Sequence, residues 1–384
     1  MEGSGKVTDF LCRNCRSRLG EAVLRYENMP PLSQKLPTVP DKNGITLNVC
    51  ECPECGLIQL ANEPVSYYRE VIRAVGVSPE MADFRRKQFR DYLQKYDLHG
   101  KKIFEVGCGA GEYLTLMRDA ADPGTDIRGI EFGQETCRQA RAAGFQVEQI
   151  YLENGNETVD DGKFDGFFIL NYLEHLPNLP QVLQAISKNL RPGGCGLVEV
   201  PNFDWMLREQ LFTEFTIDHL YYFTEKSLRR VLEMHGFDVL SCSCVRYDYI
   251  LCAEVRKRQG SDFSSFTQVG DALTRELSDF CAPFTRDEVA VWGAGHQAFA
   301  VMAAAKLDKK ICCVLDSAPF KQGRFSPATG LPIYPPQILA NGTVKAVIIM
   351  AGSYSDEVAD IIKARWGDCF KLALLRGNHL EILT

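Results

Sequence analysis

The sequence predicts an α/β protein whose main layers are doubly wound sheets with helices on both faces. Strand-like apolar runs alternate with helix-like runs along the chain, and two of the strands lead into glycine-rich turns, at residues 107–111 and 293–295. A third observation, two Cys-x-x-C pairs before residue 56, predicts a small N-terminal metal-binding part. At 384 residues the chain is long enough for two or three domains.

Composition and charge exclude two kinds of partner. The formal net charge is −7, and no basic tract stands out that would follow a nucleic-acid backbone. The polar stretch from Met1 to Leu11 lacks the apolar core of a signal peptide, and no run approaches the roughly 18 apolar residues of a membrane span. We therefore expect a cytoplasmic protein that binds neither nucleic acid nor membrane.

The N-terminal cysteines form two pairs, Cys12 with Cys15 and Cys52 with Cys55, with 36 residues between the pairs. Two residues between thiolates let both sulfurs reach one tetrahedral ion, and four thiolates leave no open position for chemistry. This pattern predicts a structural zinc site. Reduced, unliganded thiols are the alternative, and a redox role is less favoured because neither pair opens a helix after a strand. Cys50 is a spare thiol that complicates the assignment.

Residues 103–111 are the most informative segment of the chain. An apolar strand ends in Gly107-x-Gly109-x-Gly111, and a helix-like run follows at once. The glycines let a ligand approach the backbone, and the first amides of the helix face it. A phosphate fits poorly, because the spacing is not G-x-G-x-x-G and the acidic Glu105 precedes the loop. An acidic residue there suits a cationic ligand better.

In this segment the chain resembles the class I methyltransferases that use S-adenosylmethionine (SAM). Their motif is an acidic residue and then Gly-x-Gly-x-Gly, folded around the methionine half of the cofactor. The resemblance implies that Glu131, at the end of the next strand, accepts hydrogen bonds from both ribose hydroxyls. Two later landmarks agree: a buried fourth strand over 164–171, and Leu190-Arg191-Pro192-Gly193-Gly194 as the turn before a fifth strand. The implied cofactor residues are Glu105, Gly107, Gly109, Gly111, Glu131 and Asn171.

A second glycine loop follows the strand at 288–292. Gly293-Ala294-Gly295-His296-Gln297-Ala298 leads into a helix, and the next strand ends in Asp316. By itself this is a G-x-G-x-x-A dinucleotide fingerprint with an acidic residue about 20 positions on. An enzyme or regulatory domain that uses NAD is therefore the competing interpretation. Residues 260–286 are expected to form a helical link before this part of the chain.

The chain as a whole is similar to the sugar C-methyltransferases. The motifs that carry this similarity are Met29-Pro30-Pro31-Leu32, Cys55-Gly56-Leu57-Ile58-Gln59-Leu60, Trp292 to Gly295, Asp316, Lys321-Gln322-Gly323 and Pro332-Ile333. The resemblance implies a zinc-binding domain over 1–70, a SAM-dependent methyltransferase domain over 71–258, and a Rossmann-like C-terminal domain over 259–384. In that family the last domain does not use NAD and helps to shape the substrate cleft.

The resemblance also implies the catalytic groups. Methylating a carbon beside a ketone requires a base that removes a C–H proton. His219 stands at the position of the family's general base, with Asp218 and Thr216 where the family has Glu and Tyr. Asp218 is one methylene shorter than Glu, so it either orients His219 from a closer loop or only caps the following turn. The missing tyrosine removes a hydroxyl that would polarise the sugar ketone.

Two other residues are alternatives to His219. His175, after the fourth strand, either closes the cofactor pocket or takes part in catalysis, and Tyr222 is a further candidate base. An imidazole with its ordinary pKa near 6.5 takes up a proton without large tuning. In the structural alternative, His219 only braces the loop before a helix that begins near Glu225.

The expected function is SAM-dependent methylation of a nucleotide-linked keto-sugar or a related glycan precursor, most simply at carbon. The departures at Thr216 and Asp218 leave O-methylation of a sugar or another small molecule open. An NAD-dependent sugar-nucleotide enzyme or a nucleotide-binding module is the second alternative. Tyr67 and Tyr68 are expected either to form a wall of the substrate site or to pack in the core.

Overall fold

The computed structural model describes residues 10–34, 36–39, 42–70, 77–160 and 162–383. The chain forms two compact units, Met1–Gln259 and Gly260–Thr384. The expectations for the N-terminus at 1–9 and for a domain start at residue 71 lie outside the described residues, and the division into three domains stays a prediction. No helix within the described residues is long and apolar enough to cross a membrane.

The N-terminal part of the first unit is a four-stranded antiparallel sheet. In spatial order its strands are β1 (Leu24–Met29), β2 (Ile45–Glu51), β3 (Ile58–Leu60) and β9 (Tyr221–Tyr222). Strand β9 comes from far along the chain and places Tyr222 opposite Ile58 and Tyr221 opposite Gln59. The sheet therefore ties the cysteine-bearing segment to the loop that carries His219.

The centre of the first unit is a seven-stranded sheet in the order β10-β11-β8-β7-β4-β5-β6. Its strands are β4 (Lys102–Val106), β5 (Asp126–Glu131), β6 (Gln146–Gln149), β7 (Phe164–Leu170), β8 (Leu190–Pro201), β10 (Phe237–Val245) and β11 (Ile250–Lys257). Strands β4 to β8 are parallel, and β10 and β11 form an antiparallel edge. Its helices are α1 (Pro79–Lys95), α2 (Glu112–Ala120), α3 (Gln134–Ala142), α4 (Leu179–Asn189), α5 (Phe203–Arg208) and α6 (Glu225–Met234).

Both faces of this sheet are covered by apolar cores. Along β7, Phe167 belongs to the core on one face and Phe168 to the core on the other, because successive strand residues point to opposite sides. Helix α6 begins at Glu225, as expected, and its N-cap Thr224 accepts a hydrogen bond from the backbone of Ser227. The doubly wound α/β layer predicted from the sequence is confirmed.

One local prediction for this sheet is wrong. Residues 190–194 were expected to form a turn before the fifth strand, but β8 already begins at Leu190. Leu190 pairs with Phe164 of β7, and Cys195 pairs with Gly166. The residues between Leu190 and Cys195 therefore bulge out of the ladder, and Gly193 takes a left-handed φ of 77° there.

The second unit is built on a six-stranded sheet in the order β14-β13-β12-β15-β16-β17, in which β16 and β17 pair antiparallel and the strands from β14 to β16 pair parallel. Its strands are β12 (Val289–Trp292), β13 (Cys313–Leu315), β14 (Ile333–Tyr334), β15 (Ala346–Ile349), β16 (Lys371–Arg376) and β17 (His379–Leu383). Its helices are α7 (Ser264–Cys281), α8 (His296–Ala304) and α9 (Ser355–Trp366). The segment expected to be a link is helix α7, whose residues Leu273, Leu277 and Phe280 join the core of this unit.

Candidate active site and metal site

The loop between β4 and α2 carries three glycines in the left-handed region, with φ of 73° at Gly107, 56° at Gly109 and 93° at Gly111. A Cβ added to Gly107 would lie 2.5 Å from the ring of Tyr172. A Cβ added to Gly109 would meet only Oε2 of Glu112, at 3.5 Å. Packing within the protein therefore explains the first glycine, whereas the second leaves its side-chain direction open to a ligand.

Glu131 turns back from the end of β5 onto this loop. Its Oε2 accepts a hydrogen bond from the backbone N–H of Gly109 at 2.9 Å, and its Oε1 accepts one from Gly133 at 2.9 Å. A cleft beside Gly107 and Glu131 has the aromatic rings of Phe132 and Tyr151 on its walls. Each carboxylate oxygen keeps acceptor capacity toward that cleft, which is what a vicinal diol requires.

The other residues expected to bind the cofactor lie at the same edge of the sheet. Glu105 is in β4 and is 1% exposed, and Asn171 follows β7 with a left-handed φ of 49°. Strands β7, β4 and β5 are neighbours, so their carboxyl ends meet where ligands of doubly wound sheets bind.

Two histidine rings meet beside this edge. The centroids of His175 and His219 are 4.7 Å apart and their planes are at 80°. His175 lies in a short 3-10 turn, Leu173–His175, after β7 and is 6% exposed, whereas His219 in the loop before β9 is partly exposed. The Nδ1 atom of His175 is 2.8 Å from the backbone oxygen of Asp218, so Nδ1 carries the proton and Nε2 is left as the acceptor.

Burial lowers the pKa of both imidazoles. The pKa of His219 falls to about 4, and the pKa of His175 falls well below its usual value, with nearby His219 lowering it further. Both rings are therefore neutral at pH 7 and have a lone pair for a proton. The expectation of an ordinary pKa near 6.5 for His219 is wrong, because desolvation disfavours the imidazolium.

The carboxylate of Asp218 is directed at Tyr67. Its Oδ1 accepts a hydrogen bond from the Tyr67 hydroxyl at 2.7 Å, and that hydroxyl accepts one from the backbone N–H of Ser33 at 3.1 Å. Burial raises the pKa of Asp218, while the bond from Tyr67 opposes the rise. Within the described residues no hydrogen bond joins this carboxylate to His219. Asp218 thus fixes the position of the Tyr67 hydroxyl. The geometry does not support the role expected for Asp218, which was to orient the ring of His219.

The hydroxyl of Tyr222 is bound by the backbone of Thr216, although the centroid of its ring lies 6.5 Å from that of His219. Its hydroxyl accepts from the N–H of Thr216 at 3.0 Å and donates to the carbonyl of the same residue at 3.1 Å. Its ring packs against Phe203 and Phe215, and burial raises the pKa of its hydroxyl. Because the hydroxyl is bonded to the backbone of Thr216, this geometry favours Tyr222 as a brace of the loop that carries His219 rather than as the base. Tyr68 packs edge-on against Tyr151.

Glu174 is a member of the site that the sequence analysis did not single out. It is 1% exposed, burial raises its pKa to about 8, and its Oε1 lies 3.8 Å from Nε2 of His175. Ligand atoms of Glu174, His175 and His219 all lie within 4.8 Å of one another. They are close enough to exchange protons or to hold a metal ion. The position of Glu174 directly before His175 was the sequence feature that could have identified it.

A buried ion pair at the end of β8 was also missed. Arg85 of α1 and Glu199 of β8 are both fully buried, with Nη1 of Arg85 2.6 Å from Oε2 of Glu199, and Gln88 hydrogen-bonds to both. The guanidinium lies over the ring of Tyr113 in the first turn of α2. No sequence signal marks this pair, because Arg85 stands in a charged helical run that looks like a solvated face.

The four paired cysteines converge as expected. Sγ of Cys12 lies 3.6 Å from Sγ of Cys55, Sγ of Cys15 lies 3.5 Å from Sγ of Cys52, and all four sulfurs lie within 4.8 Å of one another. Tetrahedral zinc with bonds of about 2.3 Å requires sulfurs about 3.8 Å apart, so the donor set fits this ion. Spare Cys50 is buried in β2 and is not one of the four.

Comparison with known proteins agrees with this geometry. Residues 80–242 match the family described as "Methyltransferase domain", and residues 253–372 match the "C-methyltransferase C-terminal domain". The chain is 26% identical to the C-methyltransferase NovU of Streptomyces niveus over 91% of each chain. It is 33% identical over 102 residues to the ubiquinone biosynthesis O-methyltransferase of Shewanella pealeana, which spans 25% of this chain and 42% of that protein.

Among solved structures, a SAM-dependent methyltransferase from Clostridium acetobutylicum covers 50% of this chain and 96% of its own, at 12% identity and a TM-score of 0.39. The glycine loop, the doubly wound sheet and the matched domains together define a class I SAM-dependent methyltransferase. The chain also carries a match to the C-terminal domain of C-methyltransferases and is similar to NovU along its length.

Proposed function

We propose that this enzyme methylates a carbon of a nucleotide-linked keto-sugar. The observation that carries the proposal is the pair of neutral imidazoles, His175 and His219, beside the edge of the sheet where the cofactor residues lie. A neutral imidazole is able to take a proton from a carbon next to a ketone, whereas a hydroxyl acceptor needs less help to become a nucleophile.

His219 is the proposed base because it is the more exposed of the two rings. It accepts the proton from the carbon beside the ketone, the electron pair stays on the enolate, and that carbon forms the new bond to the methyl group. SAM supplies this methyl on a sulfonium and leaves as S-adenosylhomocysteine. Glu174, with a pKa of about 8, is mostly protonated at pH 7 and serves as a proton donor next to His175.

The cofactor is proposed to be held by the residues at the carboxyl ends of β4, β5 and β7. Glu105 is a buried acid that would attract the cationic end of the methionine half, and Gly109 would give that half room beside the backbone. Glu131 lies at the aromatic-walled cleft, where its two oxygens suit the ribose hydroxyls. Asn171 completes the turn after β7.

Methylation of an oxygen is the second candidate. It is favoured by the similarity of this chain to an O-methyltransferase, over 25% of its length, and by the absence of a tyrosine at Thr216. The same buried histidines would then remove a hydroxyl proton. The two candidates differ in the bond that is formed, so the product distinguishes them.

The test is to incubate the enzyme with methyl-labelled SAM and a panel of nucleotide-linked sugars, with and without a 4-keto group. We expect a keto-sugar product with a new carbon–carbon bond by NMR, and exchange of the adjacent C–H with deuterated water that requires His219. A methyl ether would establish the second candidate instead. Transfer to none of the panel would contradict both. A chelator serves as a further control. If it abolishes the C–H exchange while the zinc of the four cysteines stays bound, then the cluster of Glu174, His175 and His219 acts through a metal ion.

The four N-terminal thiolates are proposed to hold one structural zinc ion. Elemental analysis of protein purified without chelator is expected to give one zinc per chain, and Cys12→Ser or Cys55→Ser to lower that content and the melting temperature. Cys50→Ser is the matched control, since its sulfur lies outside the cluster, and it is expected to keep the metal. Protein that folds without bound metal would refute the assignment.

A further inference from the structure

Two adjacent cysteines stand at the start of β13, and the methyl-transfer chemistry does not use them. Sγ of Cys312 lies 3.4 Å from Sγ of Cys313. Cys312 is half-buried, whereas Cys313 is buried. Neighbouring residues of an extended chain direct their side chains to opposite sides, so a regular strand would hold these sulfurs apart. The contact requires a local departure from strand geometry.

The departure lies at Cys312, just before β13 begins. Along this strand Val314 belongs to the apolar core on one face of the sheet, and Cys313 and Leu315 belong to the core on the other. By alternation Cys312 would lie on the side of Val314, but it packs against the core that contains Cys313. Both thiols therefore face the same side, and of the two Cys312 is the one open to solvent.

The two thiols differ in reactivity. The neighbouring thiol of Cys313 lowers the pKa of Cys312, although burial opposes the shift. The same contact, together with burial, raises the pKa of Cys313. Cys312 is thus the thiol that more readily becomes a thiolate, which is the form that attacks a disulfide. Cys313 is placed to attack the sulfur of Cys312 afterwards, as the resolving cysteine of a redox pair does.

We propose that Cys312 and Cys313 form a reversible redox modification site, which closes to a disulfide between adjacent residues. With glutathione disulfide as the oxidant, Sγ of Cys312 attacks one glutathione sulfur, and the other glutathione leaves as a thiolate. Sγ of Cys313 then attacks Sγ of Cys312 and displaces the second glutathione. The two protein thiols are oxidised, one glutathione disulfide is reduced to two glutathiones, and the protons of the protein thiols pass to them.

This disulfide is expected to be easily reduced. Adjacent Cα atoms are about 3.8 Å apart across a trans peptide bond, whereas the usual disulfide joins Cα atoms that are at least about 4.4 Å apart. A bridge that departs from the preferred geometry is more readily reduced. The site therefore suits a reversible modification rather than a permanent structural link.

The modification acts where β13 is attached to β12. The backbone N–H of Cys312 donates to the carbonyl of Val289 at 2.9 Å, and Sγ of Cys312 lies 3.2 Å from the same oxygen. Cys313 pairs with Ala290 of β12. Bringing the sulfurs to a bond length of about 2.05 Å requires rotation of the Cys312 side chain and its peptide. The hydrogen bond to Val289 is therefore expected to weaken when the disulfide closes.

The test is to incubate the full-length enzyme, purified without chelator, with glutathione disulfide and to map its cysteines by peptide mass spectrometry. The wild-type peptide with Cys312 and Cys313 is expected to lose the mass of two hydrogens, and dithiothreitol is expected to restore it. Cys369 is the internal control, because it is an exposed thiol of the same unit with no cysteine beside it in the sequence. It is expected to gain one glutathione instead.

Two variants separate the roles of the thiols. Cys313→Ser is expected to stop at the glutathione adduct of Cys312, because the resolving thiol is gone. Cys312→Ser is expected to leave Cys313 unmodified, because that thiol is buried. In oxidised wild type, hydrogen exchange at the amide of Cys312 is expected to become faster and to return to its original rate on reduction.

A wild-type pair that stays reduced while Cys369 takes up glutathione would overturn the proposal. A wild-type pair that stops at the glutathione adduct would overturn it as well, since Cys313 would then not resolve the intermediate. Closure of the disulfide with unchanged hydrogen exchange at Cys312 would refute the effect on β13.

Discussion

Each unit of this chain has a glycine loop followed by a carboxylate that turns back onto it. In the first unit, Oε2 of Glu131 accepts a hydrogen bond from the N–H of Gly109 at 2.9 Å. In the second unit, Oδ2 of Asp316 accepts one from the N–H of Ala294, also at 2.9 Å. The two carboxylates differ in whether a cation pairs with them. Nζ of Lys321 lies 2.9 Å from Oδ2 of Asp316, whereas within the described residues no cation pairs with Glu131.

The cation changes what each carboxylate is able to bind. Burial by itself raises the pKa of Asp316, but the amide of Ala318, the ammonium of Lys321 and the amide of Ala294 together lower it below its usual range. Asp316 is therefore an ionised internal brace, with Oδ2 shared by Lys321 and the amide of Ala294 and with Oδ1 bound by the amide of Ala318. Glu131, which accepts one backbone hydrogen bond on each oxygen, keeps part of its acceptor capacity for a ligand.

The glycines of the two loops also differ in whether the protein or a ligand fills the space beside them. A Cβ at Gly293 would lie 2.4 Å from the carbonyl oxygen of Met350, so the protein's own backbone requires this glycine. A Cβ at Gly109 points into space that the protein leaves open. One sequence pattern thus serves a cofactor in the first unit and internal packing in the second, and the pattern alone does not distinguish the two.

The largest expected effect is on cofactor binding. Gly109→Leu is expected to abolish measurable SAM binding by calorimetry, because the side chain enters the ligand's space and φ is left-handed there. Gly295→Leu is the matched change in the second loop, where φ is −113° and no atom lies within 4 Å of an added Cβ. It is expected to bind SAM like wild type. Normal SAM affinity in a folded Gly109→Leu protein would contradict the comparison.

The next effect separates the chemistry of the two units. If His219 is the base, His219→Ala is expected to lower kcat roughly 10²- to 10⁴-fold while leaving SAM affinity nearly intact. His296→Ala, the matched change at the start of α8, is expected to leave kcat unchanged because His296 is exposed at the second glycine loop. Near-normal turnover by folded His219→Ala would mean that His219 only braces its loop, and the base would then be sought at His175.

Local patterns predicted most of the framework. The strand–helix alternation, the two glycine loops and the cysteine pairs each depend on residues close in sequence, and each was confirmed as an element, a turn or a cluster. The bulge at Gly193 was missed because its register depends on pairing with β7. Such pairing between distant segments leaves no local signal.

The site was predicted less completely for the same reason. The bond between Tyr67 and Asp218 joins residues 151 positions apart, and the pair of Arg85 with Glu199 joins two different elements. The depressed pKa of His219 results from the protein packed around it, so the ordinary value was the only one available from sequence. Sequence motifs predicted the residue types of the site, whereas tertiary packing determines which of these residues contact each other.

A smaller effect is expected from the carboxylates themselves. Glu131→Ala is expected to weaken SAM binding by about 1–3 kcal/mol, because ribose hydroxyls would lose their acceptor. Asp316→Ala is expected to leave SAM affinity unchanged and instead to lower the melting temperature, since Lys321 and two backbone amides lose their partner. Calorimetry and thermal unfolding of both variants measure the contrast. Equal losses of SAM affinity in the two would remove the distinction drawn between the loops.

The smallest expected effect is a difference in acid sensitivity. His219 has a folded pKa of about 4, below its unfolded value near 6.5, so the unfolded chain binds more protons as the pH falls through this interval. Stability from the neutral ring is therefore full above about pH 6.5 and declines toward pH 4. The pKa of Asp316 is lowered, so its contribution is lost only as the pH falls through the folded value, below its ordinary range near 4.

Thermal unfolding at pH 7.5 and pH 5 measures this difference. We expect His219→Gln to lose less stability than wild type between the two values, and Asp316→Asn, the matched control, to lose as much as wild type. Because the base stays neutral, kcat of the wild-type enzyme is expected to show no break near pH 6.5. A break in kcat near pH 6.5 that disappears in His219→Gln would mean that the ring of His219 titrates as a solvated imidazole. The packed rings of His175 and His219 would then have to separate before His219 accepts a proton.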